Sequence, residues 1–330
     1  MKEIIACVPN FSEGRDFEKI RKITDEIKKV KDLKLLDIAS DKDHHRTVVT
    51  FVGGPSAIKT AAFASIARAT ELIDMSSHKG GHPRIGATDV FPFVPVRGVT
   101  METCVQLARE LGKEVGEKLG IPVYLYEEAA NKPERKSLQV IRKGQYEALP
   151  TKLKQKQWEP DYGPAEFNPK SGATVIGARG YVIAFNVNLQ SRAIALAKRI
   201  AEIIRESGSV EVNNNKTIRV PGVLNFVKAI GVDLKEYGLV QVSMNLTNYK
   251  VTPMHMAFET IKRLAGLSEI EIHSSEIVGL ITEESLLMSG KFYSPRAYRK
   301  KSLITIAVEQ MMLDKFEKFA PERKIIEWMI

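Results

Sequence analysis

Cysteine is close to absent. Cys7 and Cys104 are the only two in 330 residues, too few for a disulfide framework and too far apart for a zinc knuckle. One falls in an expected strand and the other in an expected helix, so both are read as buried free thiols. Long apolar runs are also missing. Nothing approaches the ~18 residues of a membrane-spanning helix, and the opening MKEIIACVPNFSEG turns polar too soon for a signal peptide. A cytoplasmic protein without a membrane partner is the expectation. Aromatic residues make up 7% of the chain, and they are not arranged to stack on bases. Arg179-Gly180-Tyr181 opens like the aromatic strand of an RNA-recognition module, but Val182, Ile183 and Ala184 follow where rings would be needed. The net charge is +9, and basic clusters stand at Lys28 to Lys31, Lys152 to Lys156 and Arg296 to Lys301. They are short and scattered, as on solvated faces, and no nucleic-acid partner is expected.

What the chain does have is one stretch dense in reactive side chains, Asp74 to Gly98. Gly80, Gly81 and Gly86 open backbone angles closed to other residues, while Pro83, Pro92 and Pro95 exclude helix and remove ladder donors. An irregular loop feeding a short extended piece is expected there, and loops on a rigid scaffold are where catalytic groups tend to sit. His82, between Gly81 and Pro83, is the candidate acid/base, since an imidazole with an ordinary pKa near ~6.5 can accept or donate a proton at neutral pH. Arg84 and Asp89 could hold an anionic substrate, orient the ring, or form structural ion pairs. His78 and His82 are four apart, as zinc ligands on a helix would be. The intervening glycines and Pro83 make that helix improbable, so no metal is expected, although His44 and His45 could add ligands if the fold brought them near.

At 330 residues the chain exceeds what one core usually serves, roughly 250–300 residues, so two domains are expected. The first half reads as a strand over 3–8, a helix from Phe17, strands at Leu33 to Ile38 and Thr47 to Val52, and a helix through Ile58 to Ile73. Thr100 should cap a helix stopped by Gly120 and Pro122, and Val123 to Tyr126 should be extended. Residues 133–149 look helical, and the aperiodic segment 150–180 should hold the boundary, giving domains 1–180 and 181–330. The second half shows a strand over Tyr181 to Leu189, a helix over Ser191 to Ser207 and a polar turn at Asn213 to Asn215. Strands near Phe226 to Val232 and Leu239 to Leu246 follow, then a helix capped by Thr252 with Pro253 in first position and extended chain from Ile270 to Ile281. Both halves therefore repeat strand, helix, strand, strand, helix, strand. The expected class is α+β, with two βαββαβ (ferredoxin-like) subdomains packed around a cleft.

Several motifs are similar to those of the glutamate formimidoyltransferase (formiminotransferase) family: CVPNFSEG at 7–14, RTVVTFVG at 46–53, HPRIGATDVFPFVPVRG at 82–98, PVYLYEEAA at 122–130 and IRKGQYEAL at 141–149. PDYGPAEFNPKSGATVIGAR at 160–179, AFNVNL at 184–189, QVSMNL at 241–246 and PERKIIEWMI at 321–330 extend the resemblance along the whole chain. It implies a transferase of one-carbon metabolism and histidine degradation, acting as a homodimer of two-subdomain subunits. The formimino group of N-formiminoglutamate would pass to N5 of tetrahydrofolate, the co-substrate, giving 5-formiminotetrahydrofolate and glutamate. The family's catalytic histidine falls on His82. Its folate-binding segment falls on Gly163, Pro164, Ala165, Glu166, Phe167, Asn168, Pro169, Lys170, Ser171 and Gly172, where glycines allow close approach and Phe167 could pack on a flat ring. Asn10, Arg46 and Arg84 are further candidates for substrate contacts, the arginines because both substrates carry carboxylates. The loop Ser40 to His45 departs from animal members, and only the transferase module is matched, without a cyclodeaminase domain. Rival readings are formyl transfer between 5-formyltetrahydrofolate and glutamate, and a folate-binding protein without turnover.

Overall fold

The computed structural model describes residues 3–213 and 216–330, and the chain divides into two compact units, Met1–Gly180 and Tyr181–Ile330. Of the turn expected at Asn213 to Asn215, Asn214 and Asn215 lie outside the described residues.

In the first unit, β1 (Ile4–Cys7) and β2 (Asn10–Phe11) form one strand interrupted at Pro9. Asp16 then caps α1 (Phe17–Lys28), its carboxylate accepting from the N–H of Glu18 and Lys19. The apolar spacing buries Ile20, Ile23 and Ile27. β3 (Leu33–Asp41), β4 (Arg46–Gly53), α2 (Pro55–Leu72) and β5 (Thr88–Arg97) follow. Their sheet order is β3, β4, β1 with β2, β5, every pair antiparallel. Beyond β5 the sheet continues with parallel pairs. α3 (Met101–Leu119), capped by Thr100 and ended at Gly120 with φ +63°, carries the chain over to β6 (Val123–Glu127), and β7 (Thr174–Ala178) fills the gap between β5 and β6.

Two expectations need correction here. β5 is a ten-residue interior strand despite Pro92 and Pro95. The donor lost at Pro95 falls beside an irregularity, where the register against β1 slips between Ile4 and Ile5, while Pro92 stays in regular register opposite Gly177 of β7. Residues 133–149 are not one helix. They form a 3-10 turn, the five-residue α4 (Leu138–Arg142), a kink at Gly144 and Gln145 with φ of +81° and +57°, and a second 3-10 turn leading to α5 (Leu149–Lys152). Ile141, Leu149 and Leu153 of this segment cover Val90, Tyr124, Tyr126 and Val175, while Cys7, Phe51, Phe91 and Phe93 on the other face join the core under the helices.

The second unit runs β8 (Ile183–Leu189), α6 (Ile194–Ile204), the hairpin β9 (Ser209–Asn213) and β10 (Lys216–Val220), β11 (Val227–Leu234), β12 (Leu239–Leu246), α7 (Met254–Gly266) and β13 (Ile272–Val278). Two further helices, α8 (Glu283–Tyr293) and α9 (Lys300–Gln310), follow. The four-stranded sheet is antiparallel throughout, in the order β11, β12, β8, β13. Phe185, Val187, Val240, Val242 and Met244 pack against Ala197, Ile200, Phe258 and Ile261 of α6 and α7. α7 starts one residue later than expected. Thr252 donates its hydroxyl to the Asn225 carbonyl instead of capping, and Pro253 takes the cap position. Leaving aside the β9–β10 hairpin, both units order their first four strands second, third, first, fourth, and the class is α+β.

Candidate active site

His82 sits on the loop between α2 and β5, laced to the loop between β3 and β4 within the first unit. Gly81 N–H donates to the Asp43 carbonyl at 3.0 Å and His82 N–H to the His44 carbonyl at 3.4 Å. A Cβ on Gly80 would meet the His44 oxygen at 2.4 Å, so glycine is what permits this approach. Asp41 shapes the opposing turn, its carboxylate accepting from the N–H of Asp43 at 2.9 Å and of His44 at 2.8 Å. The His44 and His82 rings meet edge to face, 6.5 Å between centroids.

The His82 ring is half-buried, and neither ring nitrogen has a hydrogen-bond partner among the described residues. Burial, then the guanidinium charges of Arg46 and Arg142 and the neighbouring His44, pull its pKa down to about 3. His82 is therefore a neutral imidazole across the physiological range. Arg46, the first residue of β4, is also half-buried, and its guanidinium makes no hydrogen bond or ion pair among the described residues; its Nε is fully buried and unpartnered. Burial and the nearby Arg142 charge both lower its pKa. The Asp41 and Asp89 carboxylates act on it from a distance and offset part of this, but neither forms an ion pair with it, so its guanidinium is open to a carboxylate ligand. Asn10 lies half-buried on β2 between β4 and β5, paired across to Val48 and Val90.

Arg84 has a different position. Buried at 6% exposure, it grips both carboxylate oxygens of Glu147 at 2.7 and 2.9 Å, donates to Gln145 at 3.2 Å, and gives its Nε proton to His78 Nδ1 at 3.2 Å. Its donors are committed to the protein. His78 Nε2 in turn donates to the His45 carbonyl at 2.9 Å, and the two rings stack with centroids 4.2 Å apart. His45 faces acceptors on both sides, the Lys79 carbonyl and the Glu13 carboxylate, each at 3.0 Å. Although burial pushes the Glu13 pKa up, the N–H groups of Asp16 and Arg15, together with His45, outweigh it and hold the carboxyl below its ordinary value. His78 and His45 are thus struts of the loop that carries His82. Among the described residues, no group of three His, Cys, Asp or Glu side chains is gathered as a metal site would require.

Arg142, at the end of α4, forms a close ion pair with Asp89, which is 1% exposed and also accepts from Ile85 N–H at 2.9 Å. Lys152 fixes the end of that helix, its ammonium donating to the carbonyls on either side of Arg142, Ile141 at 2.5 Å and Lys143 at 3.2 Å. Burial, with the Arg135 charge, lowers the Lys152 pKa to about 8.

The segment Gly163 to Gly172 is bound to the histidine loop. Met75 N–H donates to the Lys170 carbonyl at 2.8 Å, Ala87 N–H to Ser171 at 2.9 Å, and Gly86 and Gly172 form a bridge. Tyr146 holds it from the other side, its hydroxyl donating to the Pro169 carbonyl at 2.6 Å and its ring 5.4 Å from that of Phe167. Gly163, Pro164, Ala165, Glu166, Pro169 and Lys170 are exposed, and Phe167 and Asn168 are half-buried. Asn168 turns the loop by accepting from Lys170 and Ser171 N–H at 3.1 and 3.0 Å. The Ser171 hydroxyl is buried and without a partner. His82, Arg46 and this loop thus belong to one unit, held in register by backbone bonds. Arg142, Tyr146, Glu147 and Glu13 escaped the sequence reading as functional residues. All four lie inside the conspicuous motifs CVPNFSEG and IRKGQYEAL, which was the only signal available.

Residues 4–179 match the model of the formiminotransferase domain, N-terminal subdomain, and residues 184–330 match that of the formiminotransferase domain. The chain is 47% identical over 292 residues to a glutamate formimidoyltransferase of Thermoplasma acidophilum, covering 88% of this chain and 92% of that one. It is 41% identical over 293 residues to a glutamate formimidoyltransferase of Streptococcus pyogenes serotype M1, covering 89% and 94%. Against the formimidoyltransferase-cyclodeaminase of Dictyostelium discoideum it is 43% identical over 334 residues, all of this chain but 61% of the longer protein.

Proposed function

Because the chain belongs to the formiminotransferase family, we propose that it transfers the formimino group of N-formiminoglutamate to N5 of tetrahydrofolate, releasing glutamate. The observation that carries this reading is His82, a neutral ring with both nitrogens free, beside the unpaired Arg46. N5 attacks the formimino carbon and a tetrahedral intermediate forms. His82 takes the proton that N5 sheds and returns it to the glutamate nitrogen as the C–N bond breaks. No enzyme nucleophile is needed. A ring whose conjugate acid has a pKa near 3 in the unliganded protein gives a proton readily to the leaving amine but is a weak base toward N5, because acid–base catalysis is most efficient with a pKa near the working pH. Arg46 takes a substrate carboxylate, which supplies the direct ion-pair partner it lacks. That neutralisation removes one of the causes depressing the His82 pKa, so the base strengthens when substrate is in place.

The Gly163 to Gly172 loop is read as the folate site, with Phe167 as a flat apolar support and the Ser171 hydroxyl as an unused polar group. Asn10 is kept as a contact to the substrate, whereas Arg84 acts as a brace on the histidine loop. Each unit is read as a ferredoxin-like βαββαβ domain, extended in the first by β6 and β7, and the working form as a cytoplasmic homodimer. No helix among the described residues is long and apolar enough to cross a membrane. The reading is tested by mixing purified protein with tetrahydrofolate and formiminoglutamate and following 5-formiminotetrahydrofolate. Product from this pair is expected. Product only from 5-formyltetrahydrofolate with glutamate would replace the reading by formyl transfer, and folate binding without product from either pair would leave a binding protein.

A further inference from the structure

The turn between β3 and β4 carries a histidine that the proposed mechanism leaves unused. Asp41 and Arg46 pair across the base of this turn, and the residues between them lie outside the segments that resemble the formiminotransferase family. One side of the turn is pinned by His45, which has φ +51° and sits between the Lys79 carbonyl and the Glu13 carboxylate, each at 3.0 Å. The other side is organised by Asp41. Its Oδ1 accepts from the N–H of Asp43 and His44, and its Oδ2 meets His44 Nδ1 at 2.8 Å.

A carboxylate only accepts, so this contact puts a hydrogen on His44 Nδ1 and leaves Nε2 of the neutral ring as an acceptor. Nε2 has no partner among the described residues. The His44 and Asp41 side chains are 53% and 44% exposed, and an exposed pair of this kind adds little to stability. Its effect is to orient one ring and to stand a negative charge behind it. That ring lies against the acid/base. His82 N–H donates to the His44 carbonyl, and the two rings meet edge to face with 6.5 Å between centroids, close enough for one water to link a nitrogen of each. Burial and two guanidinium charges disfavour an imidazolium at His82, so a proton taken from N5 needs a second place to wait while the tetrahedral intermediate lasts. At His44 the Asp41 carboxylate supplies a counter-charge once Nε2 is protonated.

We propose that His44, backed by Asp41, is the proton-carrying partner of His82, an inference that rests on the formimino-transfer reading. The proton that His82 takes from N5 passes through a bridging water to His44 Nε2. It returns by the same route to His82 and then to the glutamate nitrogen as the C–N bond breaks. One proton is taken and one is returned, and no bond forms between enzyme and substrate. His44 acts through His82 and touches neither reacting nitrogen.

The test is single-turnover and steady-state kinetics on the full chain with tetrahydrofolate and formiminoglutamate. His44→Ala should slow formimino transfer by about ten- to a hundredfold, below the range of roughly 10² to 10⁴ for losing the direct acid/base, with both KM values near those of wild type. Added imidazole should restore part of that loss in proportion to its concentration and leave wild type unchanged, a response that a merely structural role would not give. Asp41→Asn keeps an oxygen for the N–H of Asp43 and His44 but removes the charge, so it should lose rate to a similar extent without rescue, and it serves if the first variant does not fold. Full rates in both variants, a loss confined to KM, or a His44→Ala loss that imidazole leaves unchanged would each overturn the proposal. Wild-type turnover in the same experiment keeps the formimino-transfer reading intact through any of those results, whereas a wild type that forms no product removes both.

Discussion

At His82 two physical effects act in the same direction. Burial disfavours the imidazolium, and the Arg46 and Arg142 charges disfavour it again, so the ring is neutral until pH falls to about 3. An unfolded histidine titrates near ~6.5. Between those values the unfolded chain binds a proton that the folded chain does not, so stability present above pH ~6.5 is lost as pH falls toward about 3. Urea unfolding at a series of pH values should therefore show a shallower acid loss in His82→Gln than in wild type, and parallel curves would contradict the assigned pKa. Arg46 makes the complementary prediction. Arg46→Gln should raise the formiminoglutamate KM by roughly ten- to a hundredfold, the range for losing a charge-assisted hydrogen bond of ~1.5–3 kcal/mol. It should also move the His82 resonance titration upward in proton NMR; a variant with unchanged KM would remove Arg46 from substrate binding. His82 was legible in the sequence because glycine and proline flank it. Its pKa was not, because burial and the Arg46 and Arg142 charges that set it come from tertiary packing.

Between elements, the site depends on how closely three loops approach. Gly86 lies against the 171–173 backbone, and a Cβ there would meet the Ala173 oxygen at 2.0 Å and the Ser171 oxygen at 2.6 Å. Gly86→Ala must separate the histidine loop from the Gly163 to Gly172 loop, with a stability loss on the order of 2–3 kcal/mol as for overpacking and weaker folate binding. Chemical denaturation and folate titration measure the two effects, and unchanged folate binding would detach that loop from the site. Tyr146→Phe is milder, since it removes the single bond to the Pro169 carbonyl. It should cost about 1 kcal/mol and raise the tetrahydrofolate KM while leaving the formiminoglutamate KM alone; equal effects on both would make Tyr146 a general brace. Periodicity located most helices and strands to within a few residues, because α1, α3, α6 and α7 each bury one apolar stripe. It failed over 133–149, where Gly144, Gln145 and the buried contacts of Ile141 and Leu149 override a helical pattern. It also failed at Pro92 and Pro95, which local rules exclude from an interior strand.

Over the whole chain, the recurrence of strand, helix, strand, strand, helix, strand was readable from pattern alone, while the parallel extension of the first sheet by β7 and β6 was not. The 76 residues 98–173 separate β7, which starts at Thr174, from Arg97, the end of the strand it pairs with, and no local signal encodes a pairing across such a span. The proposed chemistry draws on four separate segments of one unit, Arg46, His82, Arg142 and the loop ending at Gly172, so no single motif would contain it. The account's central claim is that His82 carries the proton between folate N5 and the departing glutamate nitrogen. The most direct measurement is single-turnover formation of 5-formiminotetrahydrofolate by wild type and His82→Ala, with tetrahydrofolate affinity determined alongside. The account predicts product from both, slower in the variant by roughly 10² to 10⁴, the usual range for general acid–base catalysis, at nearly unchanged folate affinity. A variant as fast as wild type would contradict it.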